Sequence, residues 1–247
     1  MGESKTVQLA HRMEIKSFIG TSLVDWDGKV SSVIFLPGCN LRCPFCYNVK
    51  LVLNPKVMPT LQFEEIQNYL KKYEGWIDGV VITGGEPTIQ EDLPLLCEKI
   101  KNVGLAVKLD TNGTNPNMIR ELLDRALVDY VAMDVKAPFA EDIYSKASGV
   151  NTTFLLKNME DTVGMLLRSS VEYEFRTTLV PTLHETYHIE RICEKIKGCR
   201  KYVLQNFKVD FETIDPNYQN LKPFSNAEVE NLFKTAKNLI PNTVLRG

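Results

Sequence analysis

Strand-like and helix-like patterns alternate about six times along this chain. Strands are predicted where β-branched and other apolar residues cluster, at residues 32–36, 79–83, 106–110, 130–135, 171–179 and 201–207. Helices are predicted between and after them, at residues 60–73, 93–103, 116–126, 154–168, 189–196 and 227–239. This alternation limits the fold to parallel strands joined by right-handed crossovers, with helices covering the outside of the sheet.

Six strand–helix units are fewer than the eight of a closed (β/α)8 barrel. The sequence therefore predicts a partial, open (β/α)6 TIM-like barrel. We expect it to form a single domain over residues 13–247, preceded by a flexible extension at residues 1–12. Functional groups of parallel α/β folds gather at the carboxyl ends of the strands, so the residues that follow each strand are the candidates for a site.

Charge and hydropathy argue against two classes of partner. The net charge of −2, from 29 Lys and Arg against 31 Asp and Glu, provides no basic surface for a phosphate backbone. No apolar run approaches the roughly 20 residues needed to cross a bilayer. The N-terminus also lacks the apolar stretch of a signal peptide. We therefore expect a cytoplasmic protein that binds neither nucleic acid nor a membrane.

Three cysteines lie in one loop after the first predicted strand. Cys39, Cys43 and Cys46 are separated by three and then two residues. In a reducing compartment such spacing indicates a metal site rather than disulfides. Three thiolates on a four-iron cluster leave one iron open to another ligand. The alternative, on spacing alone, is a zinc site with a distant fourth ligand such as His11 or His184.

The remaining cysteines have a different setting. They lie inside predicted helices or at a helix end, without close spacing: Cys97, Cys193 and Cys199. We expect them to be small buried apolar residues.

Polar motifs also follow the second, third and fourth predicted strands. The second runs into Gly84, Gly85 and Glu86, where glycines let a ligand approach the backbone. The next two end in Asp110 and Asp134. A carboxylate at the end of an apolar strand needs a partner, although a helix cap would also explain it.

The fifth predicted strand contains Arg176. Its guanidinium needs an anion, and its planar fork matches a carboxylate. A surface-facing arginine on an edge strand is the alternative.

The cysteine loop, with Phe45 before its third cysteine, resembles the signature of radical SAM enzymes, and so does the Gly84-Gly85-Glu86 motif. The resemblance implies that the open barrel is of radical SAM type. It also implies a [4Fe-4S] cluster held by the three cysteines. That cluster would bind S-adenosyl-L-methionine (SAM) and cleave it reductively to a 5′-deoxyadenosyl radical.

Segments 109–113 and 132–136 resemble the Asp-Thr-Asn-Gly and Asp-Leu-Lys elements of glycyl-radical activating enzymes. The resemblance implies that the aspartates and Thr111 hold the cofactor, or a monovalent cation beside it. Lys136 would contact the cofactor, and Arg176 the methionine carboxylate or its network. The predicted cofactor-binding residues are Phe45, Tyr47, Gly84, Gly85, Glu86, Asp110, Thr111, Asp134, Val135, Lys136 and Arg176.

Segments 22–29, 176–178, 204–207 and 245–247 extend the resemblance to activating proteins of anaerobic ribonucleoside-triphosphate reductase, a family similar to pyruvate formate-lyase activating enzyme. It implies a glycyl-radical enzyme, anaerobic ribonucleotide reductase, as the protein substrate. It also implies an electron donor of the flavodoxin or ferredoxin type.

The chain departs from the activating-protein pattern at Asp27, where proline is frequent, and at Tyr47, where histidine is frequent. Segment 204–207 also lacks a histidine. Two other function classes remain open. One is a radical SAM enzyme that acts on a small metabolite and resembles carboxy-deazaguanine synthases; the other is a non-catalytic zinc-binding interaction protein.

Overall fold

The computed structural model describes residues 14–246, which form one eight-stranded sheet with the strands in chain order. The strands are β1 (Ser17–Ser22), β2 (Ser31–Leu36), β3 (Gly79–Gly84), β4 (Ala106–Thr111), β5 (Tyr130–Asp134), β6 (Glu172–Leu179), β7 (Tyr202–Asn206) and β8 (Thr243–Arg246). β1 pairs antiparallel to β2, and every later pair is parallel. No pairing among the described residues joins β8 back to β1, so the sheet is open.

Eight α-helices connect the strands of the described chain. They are α1 (Val49–Leu53), α2 (Phe63–Lys72), α3 (Leu93–Lys101), α4 (Pro116–Asp124), α5 (Glu141–Ser148), α6 (Leu155–Arg168), α7 (Thr186–Lys195) and α8 (Asn226–Leu239). Local capping sets some of these boundaries: Asn115 caps α4, and Ser225 forms a capping box with Glu228 at α8. Within residues 14–246, no helix is both long enough and apolar enough to span a membrane.

The six predicted strands correspond to β2–β7, which confirms the open α/β architecture. The predicted helices correspond to α2, α3, α4, α6, α7 and α8, with ends within three residues of the prediction. The sheet also has two strands beyond the six predicted, because β1 and β8 add one edge strand on each side. β1 has a glycine at Gly20, because any side chain there would collide with the Tyr69 ring, and this glycine interrupts its apolar pattern. β8 has only four residues, too few for a pattern to show.

The predicted start of α2 at Thr60 was wrong. Leu61 pairs with Ile15 in an extended bridge, and its N–H donates to the Ile15 carbonyl at 2.8 Å. The Thr60 hydroxyl accepts a hydrogen bond from Lys16. This pairing holds the backbone extended, so the helix begins only at Phe63. The predicted extension at residues 1–12 lies outside the described residues.

The outer face of the sheet is apolar and packs against the helices. Cys97, Cys193 and Cys199 are buried in this core, at 0%, 1% and 6% exposure, which confirms the prediction for them. On the inner face, Trp26 packs beside Tyr130 and lies so close to Gly79 that a side chain there would collide with its ring. Trp26 therefore closes the amino-terminal end of the barrel.

Next to Trp26, the inner face of the sheet carries charged side chains. Glu174 is 1% exposed and forms ion pairs with Arg246 and Lys201. Asp27 binds the same two cations at 2.8 and 2.5 Å. The departure at Asp27 thus concerns the amino-terminal end of the barrel, opposite the carboxyl ends where the predicted site lies.

Candidate active site

The carboxyl ends of the strands open into a cleft of about 260 Å³. Thirteen of the fourteen predicted site residues line it. The exception is Val135, which is fully buried; its N–H donates to the Arg176 carbonyl and its own carbonyl accepts from Thr177. The backbone of Val135 is therefore hydrogen-bonded to β6, and Val135 does not line the cleft with the other predicted site residues.

The cysteine loop is held in shape by short-range and long-range contacts. Gly38 enters it with a φ of +75°, a conformation that suits glycine. The Cys46 N–H donates to the Cys43 carbonyl at 3.0 Å, and the Leu41 N–H points to the Cys39 sulfur at 3.3 Å. The carboxyl end of α5, which the sequence did not predict, supports the loop through a bond from the Arg42 N–H to Ser148.

The thiols of this loop lie in a setting that disfavours their charged form. Burial raises the pKa of Cys43 to about 12, although Lys136 acts in the opposite direction. Burial also raises the pKa of Cys39 and of Cys46. Three thiolates here therefore need additional positive charge, as a bound metal supplies. The donor set fits an iron–sulfur cluster.

The arrangement does not favour a zinc ion. Among residues 14–246, no three His, Cys, Asp or Glu side chains converge as ligands of a single metal ion. A zinc ion holds its sulfur ligands about 2.3 Å from one point, whereas a four-iron cluster presents a separate iron to each cysteine. Of the two histidines considered as a fourth zinc ligand, His11 lies outside the described residues.

His184 is not available as a metal ligand either. It is 1% exposed, its Nδ1 accepts from the Val180 N–H at 2.9 Å, and its Nε2 donates to the Lys136 carbonyl at 3.1 Å. Both ring nitrogens are therefore bound by the backbone. Burial lowers the pKa of His184 to about 4, so the ring is neutral at physiological pH.

We expect His184 to make the protein less stable as pH falls from about 6.5 to about 4. The unfolded chain binds a proton in this window and the folded chain does not, so the stability is present above 6.5 and is lost on acidification. The contribution is about 3 kcal/mol. Urea unfolding at several pH values should show a flatter dependence for His184→Gln. An unchanged slope in His184→Gln would contradict the assignment.

The Gly84-Gly85 turn packs directly on the cysteine loop. A side chain at Gly85 would place its Cβ 1.7 Å from the Gly38 carbonyl oxygen, and one at Gly84 would lie 2.3 Å from the Leu36 carbonyl oxygen. The Gly85 N–H donates to Leu36, and the Glu86 N–H donates to Gly38 at 2.8 Å. Only glycines allow the two loops to approach this closely.

The Glu86 side chain is held by protein hydrogen-bond donors. Its carboxylate is buried and accepts hydrogen bonds from the Thr88 N–H and hydroxyl, the Thr111 hydroxyl at 2.7 Å and the Asn112 N–H at 2.6 Å. Protein donors thus occupy both oxygens. The geometry indicates that Glu86 joins the ends of β3 and β4 and positions Thr111.

Arg176 joins the two strand-end carboxylates. Its Nη1 lies 3.0 Å from Asp110 and its Nε lies 2.8 Å from Asp134, while Lys136 approaches Asp134 at 3.3 Å. Arg176 therefore faces the barrel interior, which excludes the surface-facing alternative. Burial favours a higher pKa for Asp134, but Arg176 and Lys136 outweigh it and hold the pKa below its usual value.

Asp110 still has an unused acceptor. Its Oδ1 is buried and has no hydrogen-bond partner among the described residues, although Lys108 forms an ion pair with it at 3.6 Å. A buried carboxylate oxygen that accepts no hydrogen bond is costly. It fits a ligand or cation bound beside this strand end.

Two asparagines of the cleft were not predicted as site residues. Asn48 donates from its side chain to the Gly84 carbonyl at 2.6 Å, and Asn112 donates toward the Cys39 sulfur at 3.9 Å. The available signal was position: Asn48 follows the cysteine motif closely, and Asn112 follows Asp110 and Thr111.

Comparisons with known proteins agree with this geometry. A family model described as the radical SAM superfamily matches residues 33–192. A Methanocaldococcus jannaschii protein with the provisional name of glycyl-radical enzyme activating enzyme is 36% identical over 94% of this chain and 95% of its own length. Pyruvate formate-lyase-activating enzyme of Clostridium pasteurianum is 28% identical over 75% of this chain and 77% of its own length.

A solved structure shows the same fold. The crystal structure of Streptococcus suis SuiB bound to precursor peptide SuiA matches with a TM-score of 0.66 and 15% sequence identity. The match covers 87% of this chain but only 48% of that one, so this chain spans about half the length of SuiB.

Proposed function

The chain belongs to the radical SAM superfamily, and on that premise we propose that it is an activating enzyme that installs a glycyl radical on a partner enzyme. We propose anaerobic ribonucleotide reductase as the partner and a flavodoxin or ferredoxin-type protein as the electron donor. The observation that carries the proposal is the gathering of thirteen predicted site residues around one cleft. The identity of 36% over nearly the whole chain to the M. jannaschii relative supports the same reaction class.

Each group of cleft residues has a role in this proposal. Cys39, Cys43 and Cys46 would hold the [4Fe-4S] cluster and leave one iron for SAM. When bound, the cluster and SAM supply a 5′-deoxyadenosyl radical that removes hydrogen from unactivated carbon. Lys136 would contact the cofactor, and Arg176 would bind its methionine carboxylate or a member of the network around it.

Other residues of the cleft would shape the cofactor site. Gly84 and Gly85 would let SAM approach the backbone. Phe45 would form one wall of the SAM site beside the third cysteine. Asp110 Oδ1, which accepts no hydrogen bond among the described residues, would accept one from SAM or hold a monovalent cation next to it.

The open sheet supports a protein segment as the substrate. The described chain leaves a lateral gap between β1 and β8, through which a loop of a partner could reach the cleft. A glycine has no side chain, so its α-carbon can approach the reactive carbon of the cofactor closely. Hydrogen removal there leaves a radical that the backbone delocalises.

We expect SAM cleavage to be slow in the isolated protein and faster when the partner is present. The measurement is 5′-deoxyadenosine formation with and without anaerobic ribonucleotide reductase, under a strong reductant. Deuterium should pass into 5′-deoxyadenosine from a partner labelled at the glycine α-carbon. A partner with the target glycine replaced by alanine is the control.

Rapid turnover on a pterin or another small metabolite, without deuterium transfer from any protein, would refute the activating function. That result would favour the metabolite-directed alternative, and the family membership would stand.

A further inference from the structure

The segment after β7 crosses the outer side of the cysteine loop. We call residues 207–218 the strap. Its Ile214 N–H donates to the Cys46 carbonyl at 3.2 Å, and its Asp215 N–H donates to the Pro44 carbonyl at 3.0 Å. The strap lies outside the part of the chain that matches the radical SAM model, residues 33–192. It therefore lies beyond the part of the fold that the superfamily model covers.

Tyr47 fastens the first part of the strap. Its hydroxyl donates to the Lys208 carbonyl and accepts from the Lys208 N–H, both at 2.7 Å. Its ring stacks on Phe207 with centroids 5.8 Å apart and contacts Phe211 at 5.3 Å. Since Tyr47 directly follows Cys46 and lines the cleft, one residue connects the cluster loop to the strap.

A second contact fastens the end of the strap. The Tyr218 ring lies 6.4 Å from the ring of Phe45 and 6.4 Å from that of Phe207. Phe45 is 7% exposed and Phe207 is 1% exposed, so the strap helps to bury an aromatic ring of the cysteine loop. This side of the cysteine loop thus packs against aromatic rings.

We propose that the strap clamps the cysteine loop from its outer side and that Tyr47 is the positioning residue that fastens it. The clamp slows loss of iron, because the loop cannot open without breaking the contacts of Tyr47 and the two backbone bonds. It also keeps water from the cluster. Reduction adds negative charge to the cluster, and water stabilises that charge, so exclusion of water lowers the reduction potential. The proposal rests on the cluster that the family implies, not on glycyl-radical activation.

Tyr47→Phe tests the clamp because it removes only the hydroxyl. The probes are release of iron from the anaerobically reconstituted protein to a ferrous chelator, and a reductive titration followed by electron paramagnetic resonance. We expect iron release to be several-fold faster and the midpoint potential to be higher. Phe211→Ala, which removes a 54% exposed ring, should shift both quantities in the same direction without unfolding the protein.

Tyr187→Phe is the matched control, because Tyr187 is 61% exposed on α7 and its ring contacts His188 rather than a residue of the strap. It should behave as the wild type. Equal release rates and equal potentials in all four proteins would overturn the proposal, as would a fall in melting temperature that accounts for the faster release. Neither probe uses SAM or a partner enzyme, so failure of the proposed activating function would leave this result unaffected.

Discussion

Replacing Cys39, Cys43 or Cys46 by Ser is expected to reduce SAM cleavage to the uncatalysed background. The three thiolates are the proposed protein ligands of the cluster, and loss of one exposes the cluster to loss of iron. The other three cysteines are buried in the core against the helices and cannot replace a missing ligand. The measurement is 5′-deoxyadenosine formed under strong reductant, together with iron content after anaerobic reconstitution.

Cys97→Ala provides the matched control. Cys97 is fully buried in α3, outside the cleft, so its loss should cost some stability but leave about four irons per chain. Full cleavage in any one of the three loop variants would remove that cysteine from the ligand set. Loss of the cluster from Cys97→Ala would show that iron content reports on folding rather than on ligation.

Gly85→Ala is expected to disrupt the contact between the two loops that form the cleft. The new methyl group would lie 1.7 Å from the Gly38 carbonyl oxygen. The atoms nearest to it belong to the backbone of Gly38 and Cys39, which cannot move away without displacing the loop. Relief requires separation of the loops and loss of the bonds from Gly85 to Leu36 and from Glu86 to Gly38. Overpacking of this kind costs about 1–3 kcal/mol of unfolding free energy. Cluster retention should fall as well, because Gly38 adjoins Cys39.

Gly164→Ala is the control for this substitution. Gly164 lies inside α6, where a new Cβ meets only the flexible end of Arg168 at 3.3 Å. Alanine in a helix interior is favoured over glycine by up to about 1 kcal/mol, so this variant should be as stable as the wild type or more stable. Urea unfolding and iron content measure both variants. Wild-type values for Gly85→Ala would contradict the packing described for the Gly84-Gly85 turn.

The fold was predictable where local pattern and tertiary structure agree. β2–β7 are buried parallel strands rich in apolar residues, and such strands stand out against the amphipathic helices between them. α1 and β8 are too short for a periodic pattern to emerge, with five and four residues. α2 began later than its sequence suggested because Leu61 pairs with Ile15, a contact across 46 positions that no local pattern reports.

The site was predictable in its members but less so in its contacts. The cysteine spacing and the residues at strand ends are local features, and the parallel sheet brings all strand ends to one edge. The sequence does not show that the Glu86 carboxylate accepts hydrogen bonds from Thr88, Thr111 and Asn112. These hydrogen bonds form because β3 and β4 are neighbours in the sheet, which brings Glu86 next to Thr111 and Asn112.

The amino-acid sequence alone predicts the alternation of strands and helices, the open barrel and the set of residues around the cleft. These features depend on periodicity and on motifs within a few residues. The tertiary structure alone sets which groups pair. Sheet register places Asp134 beside Arg176, and Asp110, 66 positions before Arg176, completes the bridge. Tyr47 meets Lys208 across 161 positions. Such pairs form because strand register and loop packing bring distant residues together, and that geometry is not encoded in any short segment.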